Sequence, residues 1–339
     1  MKTGKKIALL IGILMLALGI TAVKIAHHRG ESFAAGIRGG SIGISSELAY
    51  DQKGYSVSSG EERFSADEVR ALRIDWLSGS VSVERYDGRD VVVREKAAVE
   101  LSEDQSMRWK LSGGTLSILP CANTVRRLPE KDLTVLVPQS LTLEEAEVDT
   151  TSASVSLLGL EISGALDADS ISGSLRAEDC RCALLDFDSS SGSQKIFRTD
   201  VSGEVEADTI SGSFTAEDLR CAALSVDSTS GSQTIASLSC DALTLSSSSG
   251  SQRGSALDCR SAQADAGSGS VRLDFDAVPQ TVNVETMSGS VELSFPQGTE
   301  IDLQYDSSSG SLHGDFIRAR GGLPVDVSTA SGSLTIRYR

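Results

Sequence analysis

Nine acidic side chains recur at one place in a repeat: Asp75, Asp149, Asp169, Asp188, Asp208, Asp227, Asp265, Glu285 and Asp306. Each stands four residues before the centre of a Ser-Gly-Ser or Ser-Ala-Ser triplet, and only Ser246 and Ser328 interrupt the column. Acids and hydroxyls in this density admit two chemistries. Hard divalent cations take carboxylate, hydroxyl and carbonyl oxygens. In the other reading each Asp accepts backbone N–H groups of its own turn, and solvent screens the rest. Carboxylates stacked ~4.8 Å apart repel by roughly 0.9 kcal/mol per neighbouring pair in water, so something must offset the ladder. The paired-glycine nonapeptide of calcium-binding solenoids is absent. The expectation is turn chemistry, with no metal site and no cofactor.

Nucleophilic chemistry finds little support. A serine nucleophile needs a base beside it. The only histidines are His27, His28 and His313, and the first two adjoin an apolar N-terminal run. Lys195 is the only lysine between residues 150 and 339. Acids are everywhere, and no unique pair stands out for glycoside hydrolysis. The chain reads as a non-enzyme without catalytic residues; a wall-polysaccharide enzyme is the least supported alternative.

Cysteines follow the same repeat. Cys182, Cys221, Cys240 and Cys259 stand nine residues after their glycines, where Val201 and Val278 also occur. A column that accepts Cys or Val is expected to be small, apolar and buried. Successive Cys221, Cys240 and Cys259 would stack on neighbouring coils, as free thiols or with one pair oxidised. No CxxC pair exists for zinc. Trp76 sits beside the first corner and is expected to cover an end of the fold, with Trp109 as the other candidate for display.

The elements that position these residues follow from the spacing. The triplet centres are Gly79, Ala153, Gly173, Gly192, Gly212, Gly231, Gly250, Gly269, Gly289, Gly310 and Gly332. From Ala153 onward the steps are 19 to 22 residues, and serine flanks all eleven centres on both sides. Positions seven and five before each centre are apolar, as in Leu166 and Ala168 or Leu224 and Val226, with a polar residue between. That is period two, a strand with one buried face. After the centre, "SGSVRLDF" and "SGSLTIRY" alternate again. A unit of about twenty residues cannot enclose a core alone, but stacked units can. The fold class is therefore all-β, a parallel β-solenoid of 19–22-residue coils over 67–339, irregular with insertions over 67–148 and regular over 149–339.

The N-terminus adds a second element. Lys2, Lys5 and Lys6 precede an uncharged run over 7–23, and Lys24 and Arg29 follow. The run is short but within the range for a membrane span. It reads as an uncleaved signal-anchor within 1–26, the alternative being a cleaved signal peptide. Charge before the span favours a cytoplasmic tip and an extracytoplasmic C-terminal domain on a single-pass membrane protein. Residues 27–66, rich in Gly and Ser, read as a flexible juxtamembrane linker. With Asp+Glu 47 against Lys+Arg 31, a net charge of −16, nucleic acid is excluded as a partner.

The spaced "SGSV" and "SGSL" motifs, the acidic Ser/Thr lead-in and the N-terminal anchor resemble a bacterial adhesin-like family of β-strand repeats. The resemblance covers about 67–339 and implies an envelope-associated protein of unknown activity. The functional expectation is binding or scaffolding at the cell envelope through a repetitive acidic, Ser-rich face, with an envelope protein or a glycan as ligand. The alternative is a solenoid that polymerises end to end. The uncapped last strand motivates it, while Arg337 and Arg339 oppose it.

Overall fold

The computed structural model describes residues 52–339 apart from Ser59 and Arg126. The apolar run 7–23, its orientation and His27 and His28 lie outside the described residues. Among the described residues no helix is long and apolar enough to cross a membrane.

Each regular coil holds a lead-in strand, a Ser-Gly-Ser corner and an exit strand. Lead-in strands Ala165–Ser170, Leu184–Ser189, Glu204–Thr209 and Ala223–Ser228 pair in parallel, in register. Leu185 thus stacks between Leu166 and Val205, and Phe187 between Ala168 and Ala207. All six are at most 1% exposed, so the period-two columns form one continuous core. Exit strands Leu175–Glu178, Gln194–Val201 and Phe214–Arg220 pair the same way on the far side of the corner.

The corner glycines answer to crowding. Among them only Gly79 has a positive φ, at 95°. A Cβ on Gly231 would lie 1.6 Å from the Gly212 carbonyl oxygen, and one on Gly173 would lie 1.8 Å from that of Ala153. Stacked corners approach too closely for any side chain between them. Ala153 is tolerated because it follows the coil of Gly79, whose corner takes a different path. At nine of the eleven centres a hydroxyl three residues earlier closes the turn; Trp76 and Ala266 stand there in the other two. Ser170 Oγ accepts from Gly173 N–H at 2.7 Å and Thr209 Oγ1 from Gly212 N–H at 2.9 Å. Ser189 and Ser228 Oγ instead donate to the carbonyls of Gly192 and Gly231. The first serine of the triplet bonds across coils: Ser230 Oγ donates to Ile210 O at 3.2 Å and Ser191 Oγ to Ile171 O at 3.3 Å.

A second bend, six residues past the centre, is not announced by residue type. Gly159, Asp179, Arg198, Asp218, Ser237 and Ala256 all have left-handed φ, between 46° and 66°. Five are not glycine, and each such residue costs ~1–2 kcal/mol. Parallel pairing with neighbours above and below holds them there.

Both ends depart from sequence order. The last coil, with strands Leu323–Thr329 and Leu334–Tyr338, is inserted between the coil of Thr281–Thr286 and the coil of Glu300–Ser307. The expected uncapped C-terminal strand is therefore internal; the outermost coil is 300–318. Arg337 and Arg339 guard no edge, since they pair with Glu292 and Asp276. At the other end, Ala71–Trp76 and Gly79–Tyr86 lie between the coil of Thr115–Leu119 and Lys131–Pro138 and the coil of Glu145–Thr150. Antiparallel strands Asp90–Ala97, Glu61–Ser65, Arg108–Ser112 and Ser56–Val57 then close that end. The folded body begins before residue 67, so the linker expected over 27–66 loses its last part to this cap. Beneath the cap Lys131 and Glu95 form a fully buried pair. Lys131 Nζ also donates to Gln105 O at 2.7 Å and lies 4.9 Å from the Trp76 ring centroid.

Two substitutions separate the two bends. Gly231→Ala drives a methyl into a backbone oxygen and should cost about 3 kcal/mol or more. Ala256→Gly relieves left-handed strain and should gain about 0.5–1 kcal/mol after the added chain entropy. Urea unfolding monitored by circular dichroism measures both; equal small effects would refute the crowding argument.

Candidate functional site

The lead-in strands place the acids. Asp149, Asp169, Asp188, Asp208 and Asp227 are in-register neighbours on five consecutive coils. The column continues through Ser246, Asp265, Glu285 and Ser328. A parallel column lies two residues earlier on the same face: Glu147, Asp167, Asp186 and Glu206. Four coils therefore carry two acids each, on a patch about 14 Å long at strand spacing. No Lys or Arg occurs in any lead-in strand from Glu145 to Thr329. A basic contact stands at the N-terminal margin, where Arg73 pairs with Glu147 at 2.6 Å.

Elsewhere the same stacking is used to neutralise charge. Along another edge Arg85, Glu161, Arg181, Asp200 and Arg220 alternate in sign, with contacts of 3.1–3.7 Å. On the exit strands Arg272 and Arg337 both reach Glu292. The like-charged face is thus specific to the lead-in strands.

At Asp169 and Asp188 the corner is closed by the neighbouring serine and not by the acid. Asp169 is 9% exposed and receives no hydrogen bond from its corner, which Ser170 closes. Asp188 has one oxygen buried without a hydrogen-bond partner. Asp265 accepts from Gln263 Nε2 at 2.8 Å, and Asp227 accepts from the Ser246 hydroxyl on the next coil. Burial, reinforced by neighbouring carboxylates, pushes Asp169 up to about 9, Asp188 to about 8 and Asp167 to about 7. Burial also raises Asp227 and Asp265. These raised carboxyls favour the protonated form near neutral pH, which relieves the repulsion. Among the described residues no three His, Cys, Asp or Glu side chains converge to hold a metal ion.

Behind the acids runs a feature that the sequence reading missed. Gln194, Gln233 and Gln252 lie inside the coil, at most 1% exposed. Gln194 Nε2 donates to Phe187 O and Asp208 O, at 2.6 and 2.7 Å, and Gln233 Nε2 to Ser246 O at 2.6 Å. They tie the exit strand to the backbone beneath the acidic column. Their signal was the polar residue two places after the centre, where other coils have Leu175, Phe214 or Val271.

The tryptophans are not displayed. Trp76 is 1% exposed and donates Nε1–H to Lys131 O at 3.0 Å. Trp109 packs edge-on against Phe64, ring centroids 4.9 Å apart. The cysteine column is only partly a core column. Cys182 and Cys259 are buried, Cys221 and Cys240 are half-buried, and Val278 is exposed where the coil path changes.

The face so described is a solenoid surface without a catalytic constellation among the described residues. Residues 201–337 match the family model described as Toastrack DUF4097. The Toastrack match spans less than half of the chain and lies wholly within the regular coils and the interleaved C-terminal end. Two solved structures are similar over 84% of the chain. One, described as a "putative cell adhesion protein" from Clostridium sporogenes, is 9% identical, is covered over 100% of its own chain and has a TM-score of 0.20. The other, a "Putative lipid binding protein" from Parabacteroides distasonis, is 16% identical, is covered over 98% and has a TM-score of 0.37. Likenesses of this strength assign no ligand. No curated protein matches.

The raised carboxyls set a pH dependence. Folded carboxyls above their ordinary 3.8 hold protons that the unfolded chain has already released. Stability therefore falls as pH rises from about 4 to about 9. Asp169→Asn mimics the protonated acid. Its melting temperature should match the parent near pH 4.5 and exceed it by a few degrees near pH 8.5. Calorimetry at the two pH values checks this; the same difference at both would refute it.

Proposed function

We propose that this chain is a non-enzymatic, membrane-anchored envelope protein whose rigid solenoid stands outside the cytoplasm and binds a basic segment of an envelope protein along its acidic face. The observation that carries the reading is the eight-acid patch of residues 147–208, in register and without a lysine or arginine on its strands. An unbranched row of like charges at strand spacing suits an extended cationic chain better than a small ligand, because the energy is spread over many weak contacts. The patch keeps its protons until a cation approaches, and lysine or arginine would displace them. The apolar run 7–23 supplies the anchor, and the lysines before it set the orientation. The antiparallel strands over the N-terminal end weigh against end-to-end polymerisation, which needs two open ends.

Binding of the full chain in detergent micelles to poly-lysine tests the face. The variant Asp167→Asn/Asp186→Asn/Glu206→Gln should lose about tenfold in affinity. A control neutralising the exposed Asp87, Glu103 and Asp315 should change about twofold or less. Equal losses would reduce the effect to net charge and overturn the site. Protease treatment of intact cells tests the topology: the solenoid should be cut from outside, and full protection would overturn the assigned side.

A further inference from the structure

The thiol column of the solenoid holds a site that the acidic face does not use. Cys221, Cys240 and Cys259 lie on three consecutive coils. Cys240 and Cys259 are in-register neighbours, and the Cys221 N–H donates to Ser239 O, beside Cys240, at 3.1 Å. The Cys240 thiol is within hydrogen-bonding reach of both other thiols, and all three are free. Neighbouring parallel strands hold their Cα atoms ~4.8 Å apart, inside the 4.4–6.8 Å range of disulfides. The thiols differ in access. Cys221 and Cys240 open onto a groove of 530 Å³ lined also by Arg220, Asp241, Asp258 and Arg260. Cys259 is 3% exposed and lies outside that lining.

From this stacking and this difference in access we infer that Cys221 and Cys240 are a disulfide-forming pair that staples two neighbouring coils. The oxidant is a small-molecule disulfide entering the groove. The thiolate of Cys221 attacks one sulfur of the oxidant, giving a mixed disulfide and releasing one thiol. The Cys240 sulfur then attacks Cys221 Sγ, forming the inter-coil bond and releasing the second thiol. Two protein thiols are oxidised, the oxidant disulfide is reduced, and the two protons end on the released thiols. The Cys240 thiol itself is pushed up to about 12, chiefly by its contact with the Cys221 thiol, so Cys221 is the member suited to begin the exchange. Cys259 remains as the one stacked thiol outside the bond.

The test uses the full chain in detergent micelles, incubated with oxidised glutathione and then denatured with its thiols blocked. Titration should fall from six thiols to four, and non-reducing peptide mapping should recover Cys221 linked to Cys240. Cys259→Ser should oxidise like the parent, and Cys240→Ser should retain the five thiols left to it. Circular dichroism of Cys240→Ser keeps a folding defect from passing as support. Six titratable thiols after incubation, or a Cys240–Cys259 link in the parent chain, would overturn the assignment.

Discussion

The structure depends on how closely consecutive corners can stack. Corner glycines sit where a single methyl would strike the carbonyl of the coil before. Backbone hydrogen bonding holds the strands ~4.8 Å apart, and the corner joining them can follow at that spacing only without a side chain. In-register parallel pairing follows, and it puts like residues on like. Every column of the repeat becomes a ladder: leucine and valine in the core, hydroxyls beneath the corner, glutamine amides inside, thiols at the margin of the core and carboxyls on the outer face. What would be a scattered residue in another fold is here multiplied along an axis.

Multiplication has opposite consequences for different side chains. Apolar columns gain a continuous core with few aromatic residues. Hydroxyl columns gain cross-coil hydrogen bonds, as from Ser230 to Ile210. Charged columns must be managed, and the chain does so in two ways. On the edge from Arg85 to Arg220 signs alternate between coils, so each charge meets its opposite. On the lead-in strands the sign stays the same, and burial with mutual repulsion keeps Asp169 and Asp188 protonated near neutrality. That face pays in stability for a charge density that elsewhere is cancelled.

The two ends show how a stack of near-identical units is terminated. The first coil, 71–86, and the last, 323–338, each stack one coil inside the end, beneath the outermost coils 115–138 and 300–318. The N-terminal end goes further. Antiparallel strands and the buried Lys131–Glu95 pair cover it, and the pair is satisfied by the Gln105 carbonyl and the Trp76 ring. Among the described residues the C-terminal end has no such cover, and Tyr305 is half-buried where inner coils carry fully buried Val284 and Val327.

Much of this was legible in the residues. Period two at Leu166 and Ala168, repeated every 19 to 22 residues, determined a parallel solenoid and the inward and outward columns. It determined that Asp169, Asp188 and Asp208 stack, and that Cys221, Cys240 and Cys259 do. Three things belonged to tertiary structure alone. The turn is closed by Ser170 and Thr209, not by the acids, because burial directs the hydroxyl inward to the corner and the carboxyl outward. The second bend is left-handed at Arg198 and Ala256, since the pairing of whole coils outweighs the preference of one residue. And the order of coils at both ends is inverted. Near-identical corners present the same backbone to any neighbour, so a repeat can say that coils stack but not which coil stacks on which; that was decided by where the insertions at 87–130 and 308–322 allow the chain to return.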